Sequence, residues 1–186
     1  MGISRLTFAG NLALVYQDDG SVVRLVPSVH NQWVPTTDAG TDPPPAGTQA
    51  DLVAWMVAHI SAFAYSQASG RLSPLTSGYT DCSGLTWFCY KTVTGIDIGT
   101  WTGAQQGSGT VIQDGLAGSS PTEANMVLGD LVFYSWSGPN SNYDHVDMYT
   151  GPNQVLGHGG PESGPTYKVM NTRCAAAYEW RVRRYL

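Results

Sequence analysis

Apolar residues come in short runs at both ends of the chain and at helical spacing between them. Near the start, Leu12-Ala13-Leu14-Val15-Tyr16 and the run from 22 to 26 flank Asp19-Gly20, a hairpin pattern in which Asp-Gly suits a two-residue type I′ turn. Val34-Pro35 closes that segment, and the stretch around Pro43-Pro44-Pro45 reads as a stiff linker. Thr48 with Asp51 three residues on is a helix-capping pattern, and Leu52, Trp55, Met56, Ile60 and Phe63 then form one stripe at helical spacing. His59 falls on that stripe and reads as a hydrogen-bonded histidine at the edge of the core. A loop over 66–79 leads to a second helix over 82–92, which should stop before Gly95. Beyond Met126 the pattern shortens to strands at 131–134, 145–149, 154–158, 167–170 and 178–186, the first entered through a turn at Leu128-Gly129-Asp130. Helices first and a strand meander after them predict an α+β fold, with helices packed on an antiparallel sheet.

This organisation divides the chain into residues 1–38, a β-hairpin appendage; 39–47, a Pro/Gly linker; and 48–186, the main domain. About 38 residues bury little core alone, so the appendage is expected to pack on the main domain or on another protein, which makes it a candidate attachment element. His30, Asn31, Gln32 and Trp33 are expected on its surface, where Trp33 could stack on a sugar or a partner.

Charge and composition narrow the function. A net charge of -5, with Lys91 and Lys168 the only lysines, leaves no basic patch for nucleic acid. No apolar run approaches the ~20 residues of a membrane span. Residues 6–16 briefly look like the core of an export signal, yet Gly10 and Asn11 interrupt them and Asp18-Asp19 follows where a small-residue cleavage site should be, so no signal peptide is expected. Three cysteines are an odd count without disulfide-scaffold density. Cys89, two helical turns after Cys82, reads as a core residue, with a disulfide to Cys174 as the alternative.

The chemistry centres on Thr80-Asp81-Cys82-Ser83-Gly84-Leu85, which places a cysteine where a loop gives way to a helix. Unpaired N–H groups and the helix dipole favour a thiolate there. His145 and His158 stand at the ends of adjacent expected strands, and cysteine, histidine, then a third polar group is the order of a papain-like hydrolase. An even-numbered hairpin loop over 151–154 would set Asp147 opposite His158 and bring both histidines to one face; an odd loop without a bulge would separate them.

Four segments in order, Asp81-Cys82-Ser83-Gly84-Leu85, Leu128-Gly129-Asp130-Leu131-Val132-Phe133, His145-Val146-Asp147-Met148-Tyr149 and Gly157-His158-Gly159, resemble the NlpC-type cell-wall cysteine hydrolases, papain-like enzymes that cut peptidoglycan. The resemblance covers about residues 50 to 186. It implies Cys82 as nucleophile, His145 as general base and later acid, His158 as the residue orienting His145, Tyr65 as a group holding oxyanion or substrate, and Asp81 and Ser83 facing the substrate peptide. The two histidines lie one residue further apart than in many members, which leaves Asp147 as the other candidate orienter. No metal or organic cofactor is implied. Trp55-Met56 through Phe63-Ala64-Tyr65-Ser66 to Ser77-Gly78-Tyr79-Thr80-Asp81-Cys82 is more specifically similar to the bacteriophage peptidoglycan-hydrolase branch. That implies a virion tail-tip enzyme acting on the host wall during infection, with residues 1–38 facing other tail proteins; an endolysin acting at lysis is the alternative. The choice between endopeptidase and N-acetylmuramoyl-L-alanine amidase stays open, because pocket shape decides it.

Two other classes compete. Cys82, His145, His158 and Asp144 or Asp147 could hold zinc, although no Cys-x-x-Cys or His-Glu-x-x-His spacing is present. The chain could also be a structural tail component whose hydrolase domain is inactive or only binds wall peptide.

Overall fold

A computed structural model describes residues 3–9, 12–17, 22–27 and 33–35 as strands, and residues 47–139, 143–159 and 164–186. The chain divides into two compact units, Met1–Pro43 and Pro44–Leu186.

The first unit is a four-stranded antiparallel sheet, β1 (Ile3–Ala9), β2 (Leu12–Gln17), β3 (Val22–Pro27) and β4 (Trp33–Pro35), in that spatial order. The expected hairpin is its middle, and the run resembling an export signal is two paired strands, Ala9 opposite Leu12. Tyr16 pairs with Val22 and Val15 with Val23. The Asp19-Gly20 turn itself lies outside the described residues, as do His30, Asn31 and Gln32.

The second unit opens with α1 (Gln49–Ala58), where Thr48 and Asp51 form a reciprocal capping box. α1 ends at Ala58, before Ile60 and Phe63; Phe63 is buried from the segment that follows. β5 (Ala64–Tyr65), α2 (Pro74–Ser77) and β6 (Tyr79–Thr80) then lead into α3 (Cys82–Thr94). α3 stops at Gly95, whose φ of 76° only glycine adopts cheaply and whose N–H closes on the Lys91 carbonyl. α4 (Thr102–Gln106) and β7 (Thr110–Leu116) follow, and then the run β8 (Leu131–Ser135), β9 (His145–Gly151), β10 (Gln154–His158), β11 (Pro165–Val169), α5 (Met170–Ala176) and β12 (Glu179–Arg184).

The main sheet has the order β11-β10-β9-β8-β12-β7. β8 to β11 form the expected meander, but β12 returns to pair with β8, and β7 completes the edge. All five residues of β8 are buried, because both faces of the sheet are covered. Leu131, Phe133, Val146, Met148 and Leu156 pack with Leu52, Met56, Leu85 and Tyr90 of α1 and α3. Val132, Tyr134, Tyr149 and Val155 pack on the other face with Met170, Cys174, Trp180 and Val182. Burying each such aliphatic side chain contributes about 1.5–3 kcal/mol, so both layers hold the sheet's strand ends in place. Helices layered on an antiparallel sheet make this an α+β, papain-like fold.

Candidate active site

Cys82 is the first residue of α3, and the local sequence explains why the helix starts there. The Asp81 carboxylate accepts from the Gly84 N–H at 2.7 Å and from Arg71 Nη1 at 3.0 Å, with the Ser83 hydroxyl at 3.4 Å. Gly84 is required beneath that cap: a Cβ there would lie 2.8 Å from Asp81 Oδ1 and 2.9 Å from the Arg71 carbonyl oxygen. Gln105, fully buried on α4, donates to the Ser83 carbonyl at 2.8 Å and ties α4 to the same turn. The first turn of α3 is thus fixed from three sides, with Cys82 at its start, buried at 5% accessibility as a residue.

β5 pairs in parallel with β6, Tyr65 opposite Thr80, which sets the tyrosine beside the start of α3. Burial, then the neighbouring Cys82 and Asp81, push the Tyr65 hydroxyl above its ordinary pKa, so it stays a proton donor at neutral pH. Gln67 donates to its oxygen at 3.1 Å.

His145 opens β9, and its ring bridges the site. Nε2 lies 3.0 Å from Asp147 Oδ1, and Cys82 is near enough to the imidazole to favour its protonated form. Burial alone would lower its pKa; Asp147 and Cys82 outweigh burial and hold it at about 9. Two residues apart on a strand, His145 and Asp147 share a face. Asp147 is fully buried and meets Lys168 at 3.0 Å on Oδ1 and Arg173 at 2.8 Å on Oδ2. Burial pushes this carboxyl up, but His145, Lys168 and Arg173 hold it well below the ordinary carboxylate range. Gly157 makes room for it, since a Cβ there would sit 2.1 Å from Asp147 Oδ1.

His158 is elsewhere. Its Nε2 is 3.1 Å from the Phe63 carbonyl oxygen, its ring meets Tyr65 edge-on at 5.1 Å, and Nδ1 is buried without a hydrogen-bond partner among the described residues. Burial lowers its pKa, so it is a neutral prop behind Tyr65. The cause is register. Val155 pairs with Tyr149 and Leu156 with Met148 after a shift at Gln154, at a turn where Asn153 has a φ of 52° and Gly151 a φ of 149°. Gly157, not His158, comes level with Asp147, which corrects the expectation that an even loop would bring both histidines to one face.

The structure therefore brings together Cys82, His145, Asp147 and Tyr65, and leaves His158 outside the hydrogen-bonded set. Asp81 and Ser83 border the site, the Asp81 carboxylate held in the helix cap and the Ser83 carbonyl held by Gln105 of α4. His59 caps α1, its Nδ1 2.8 Å from the Trp55 carbonyl oxygen and its ring stacked on the indole. Cys89 and Cys174 are buried free thiols. Lys168, Arg173, Arg71 and Gly157 escaped the sequence reading; a glycine inside a strand was the one available signal of close approach. Among the described residues no group of three or more His, Cys, Asp or Glu side chains is placed to hold a metal ion.

Comparisons with known proteins bear on the family and the fold. The model of the NlpC/P60 family matches residues 63–184. Protein P54 of Enterococcus faecium is 40% identical over 93 residues, a segment covering 50% of this chain and 15% of that protein. A Bacillus cereus NlpC/P60 family protein superposes with a TM-score of 0.62 at 20% identity, over 99% of this chain and 53% of that one, a likeness of fold. The NlpC/p60 domain of the peptidoglycan hydrolase SagA superposes with a TM-score of 0.55 at 25% identity, over 74% of this chain and 99% of that one. The chain spans about half of the Bacillus cereus protein and a smaller part of Protein P54.

Proposed function

The chain belongs to the NlpC/P60 family, and from that premise we propose that it hydrolyses an amide bond in the stem peptide of bacterial peptidoglycan through an acyl-cysteine intermediate. The observation that carries the reading is the line of contacts from Cys82 through His145 to a buried, ionised Asp147. His145 holds the thiol proton, so the Cys82 sulfur attacks the amide carbonyl as a thiolate. The oxyanion forms beside the first-turn N–H groups of α3 and the Tyr65 hydroxyl. Collapse of the tetrahedral adduct breaks the C–N bond as His145 passes its proton to the departing amine. Water then attacks the thioester with neutral His145 as base, releasing the carboxylate and restoring the thiol. Asp147 fixes the ring so that Nδ1 faces sulfur throughout, and stabilises the imidazolium.

The finer reading is a phage virion component that opens the host wall from the tail tip, with the N-terminal β unit as the attachment element. It is supported by the resemblance of residues 55–82 to the phage branch and by the separate fold of Met1–Pro43. Antibody labelling at the tail tip of intact virions would sustain it; the protein free in lysates and absent from virions would favour an endolysin.

The hydrolase itself is tested by digesting purified peptidoglycan with the protein and with Cys82→Ala, identifying new termini by mass spectrometry. The active protein creates a new amine and carboxylate at one bond type, and the variant creates none. Identical fragments from both would refute the mechanism.

A further inference from the structure

The Asp147 carboxylate has more cationic neighbours than a single imidazole requires. Lys168 Nζ donates to Asp147 Oδ1 at 3.0 Å and to the Gly157 carbonyl at 2.7 Å. Lys168 and His145 thus share one oxygen, while Arg173 reaches the other from α5 and lies across the rings of Tyr134 and Trp136, 5.0 and 5.2 Å from their centres. The Lys168 side chain is 13% exposed and held on β11 opposite Val155. Gly157 therefore acts twice: its missing Cβ admits the carboxylate, and its carbonyl anchors the lysine that grips it.

Resting on the hydrolase reading above, we propose that Lys168 is a positioning residue that fixes Asp147 against Gly157 and, as a second cation on Oδ1, keeps the His145 proton loose enough to pass to a leaving amine. A carboxylate facing only an imidazolium in a buried site would bind that proton tightly and make His145 a poor acid. Cations at the same carboxylate oppose the extra charge on the ring. The groups facing His145 are Cys82 from α3, Tyr134 from β8, Asp147 on its own strand, Lys168 from β11 and Arg173 from α5, with Tyr65, Asp81 and Arg71 beyond the sulfur. Of the cations at Asp147, Lys168 is the one on the oxygen that His145 uses. Burial draws the Lys168 pKa down and Asp147 pulls it back up.

The test follows Cys82 alkylation by iodoacetamide from about pH 5 to about pH 11 in the full chain, Lys168→Met and Lys168→Arg. It needs no peptidoglycan and so does not depend on the substrate assignment. Two charges within about 6 Å in a partly buried site predict that the step in rate marking His145 deprotonation rises by about one to two pH units in Lys168→Met. Lys168→Arg returns it toward the unaltered value. On wall fragments, Lys168→Met loses about tenfold in kcat with KM unchanged. Should Lys168→Met fail to fold by circular dichroism, NMR of the lysine ammonium in the unaltered protein serves instead: the Lys168 resonance must move as His145 titrates. A step that stays put in folded Lys168→Met, a loss confined to KM, or an ammonium resonance blind to His145 would overturn the proposal. A shifted step in a protein that leaves peptidoglycan intact would uphold it and refute the hydrolase reading instead.

Discussion

Two histidines stand at the ends of neighbouring strands, and their surroundings make opposite acids of them. His145 meets a buried carboxylate at 3.0 Å and a thiol, and holds its proton up to about pH 9. His158 meets a backbone carbonyl and the edge of a tyrosine, and burial depresses its pKa. The residue type is the same and the sheet is the same. What differs is one position of register between β9 and β10, which sends Gly157 to Asp147 and turns His158 toward Phe63 and Tyr65. In this site a strand shift decides which side chain meets the His145 ring.

The sharpest way to break the comparison is to remove each ring's partner in turn. Asp147→Asn keeps the shape but removes the charge and frees the His145 tautomer, and is expected to cut kcat by about 10²–10⁴-fold. His158→Gln should stay within about tenfold of the unaltered kcat, because His158 bonds to the Phe63 carbonyl and packs on Tyr65 instead of holding the His145 ring. Steady-state hydrolysis of peptidoglycan fragments ranks the two, and the reverse order would restore His158 to the triad. Gly157→Ala sharpens the point without touching a titratable group. Its new Cβ would fall 2.1 Å from Asp147 Oδ1, and displacing the carboxylate by about an ångström should lower kcat by about 10–100-fold.

The smallest effects lie in stability against pH, and the two histidines contribute with opposite signs. The His145 pKa is raised in the folded state, so its stabilisation is complete below the unfolded value of about 6.5 and is lost as pH rises through about 9. The His158 pKa is lowered, so its contribution is present above about 6.5 and is lost as pH falls below it. Thermal melts across pH should show His145→Gln flattening the alkaline limb and His158→Gln the acid limb.

Much of this was legible from residue pattern alone. The Thr48–Asp51 box, the Cys82 helix start, the Gly95 stop and the limits of β10 follow from local rules, because capping and turn geometry are set by residues a few positions apart. Cys82 and His145 stand out by chemistry and order, and the structure sets them beside each other. β7, α4 and α5 were not, since their burial is decided by distant partners such as Trp180 against Gly115 and Gln105 against Ser83. Which of Asp147 and His158 faces the His145 ring depends on the shift at Gln154, at a turn with positive φ angles at Gly151 and Asn153 that local propensity leaves open. Lys168 and Arg173 come from β11 and α5, so nothing near Asp147 in sequence announced them.

In the proposed mechanism Asp147, and not His158, holds the far nitrogen of the His145 ring. NMR of the imidazole nitrogens and their bound protons tests this directly, in the unaltered chain, in Asp147→Asn and in His158→Gln. A strongly hydrogen-bonded Nε2 proton on His145 is expected to persist to about pH 9, to survive His158→Gln and to disappear in Asp147→Asn. Loss of that proton in His158→Gln, with its survival in Asp147→Asn, would contradict it.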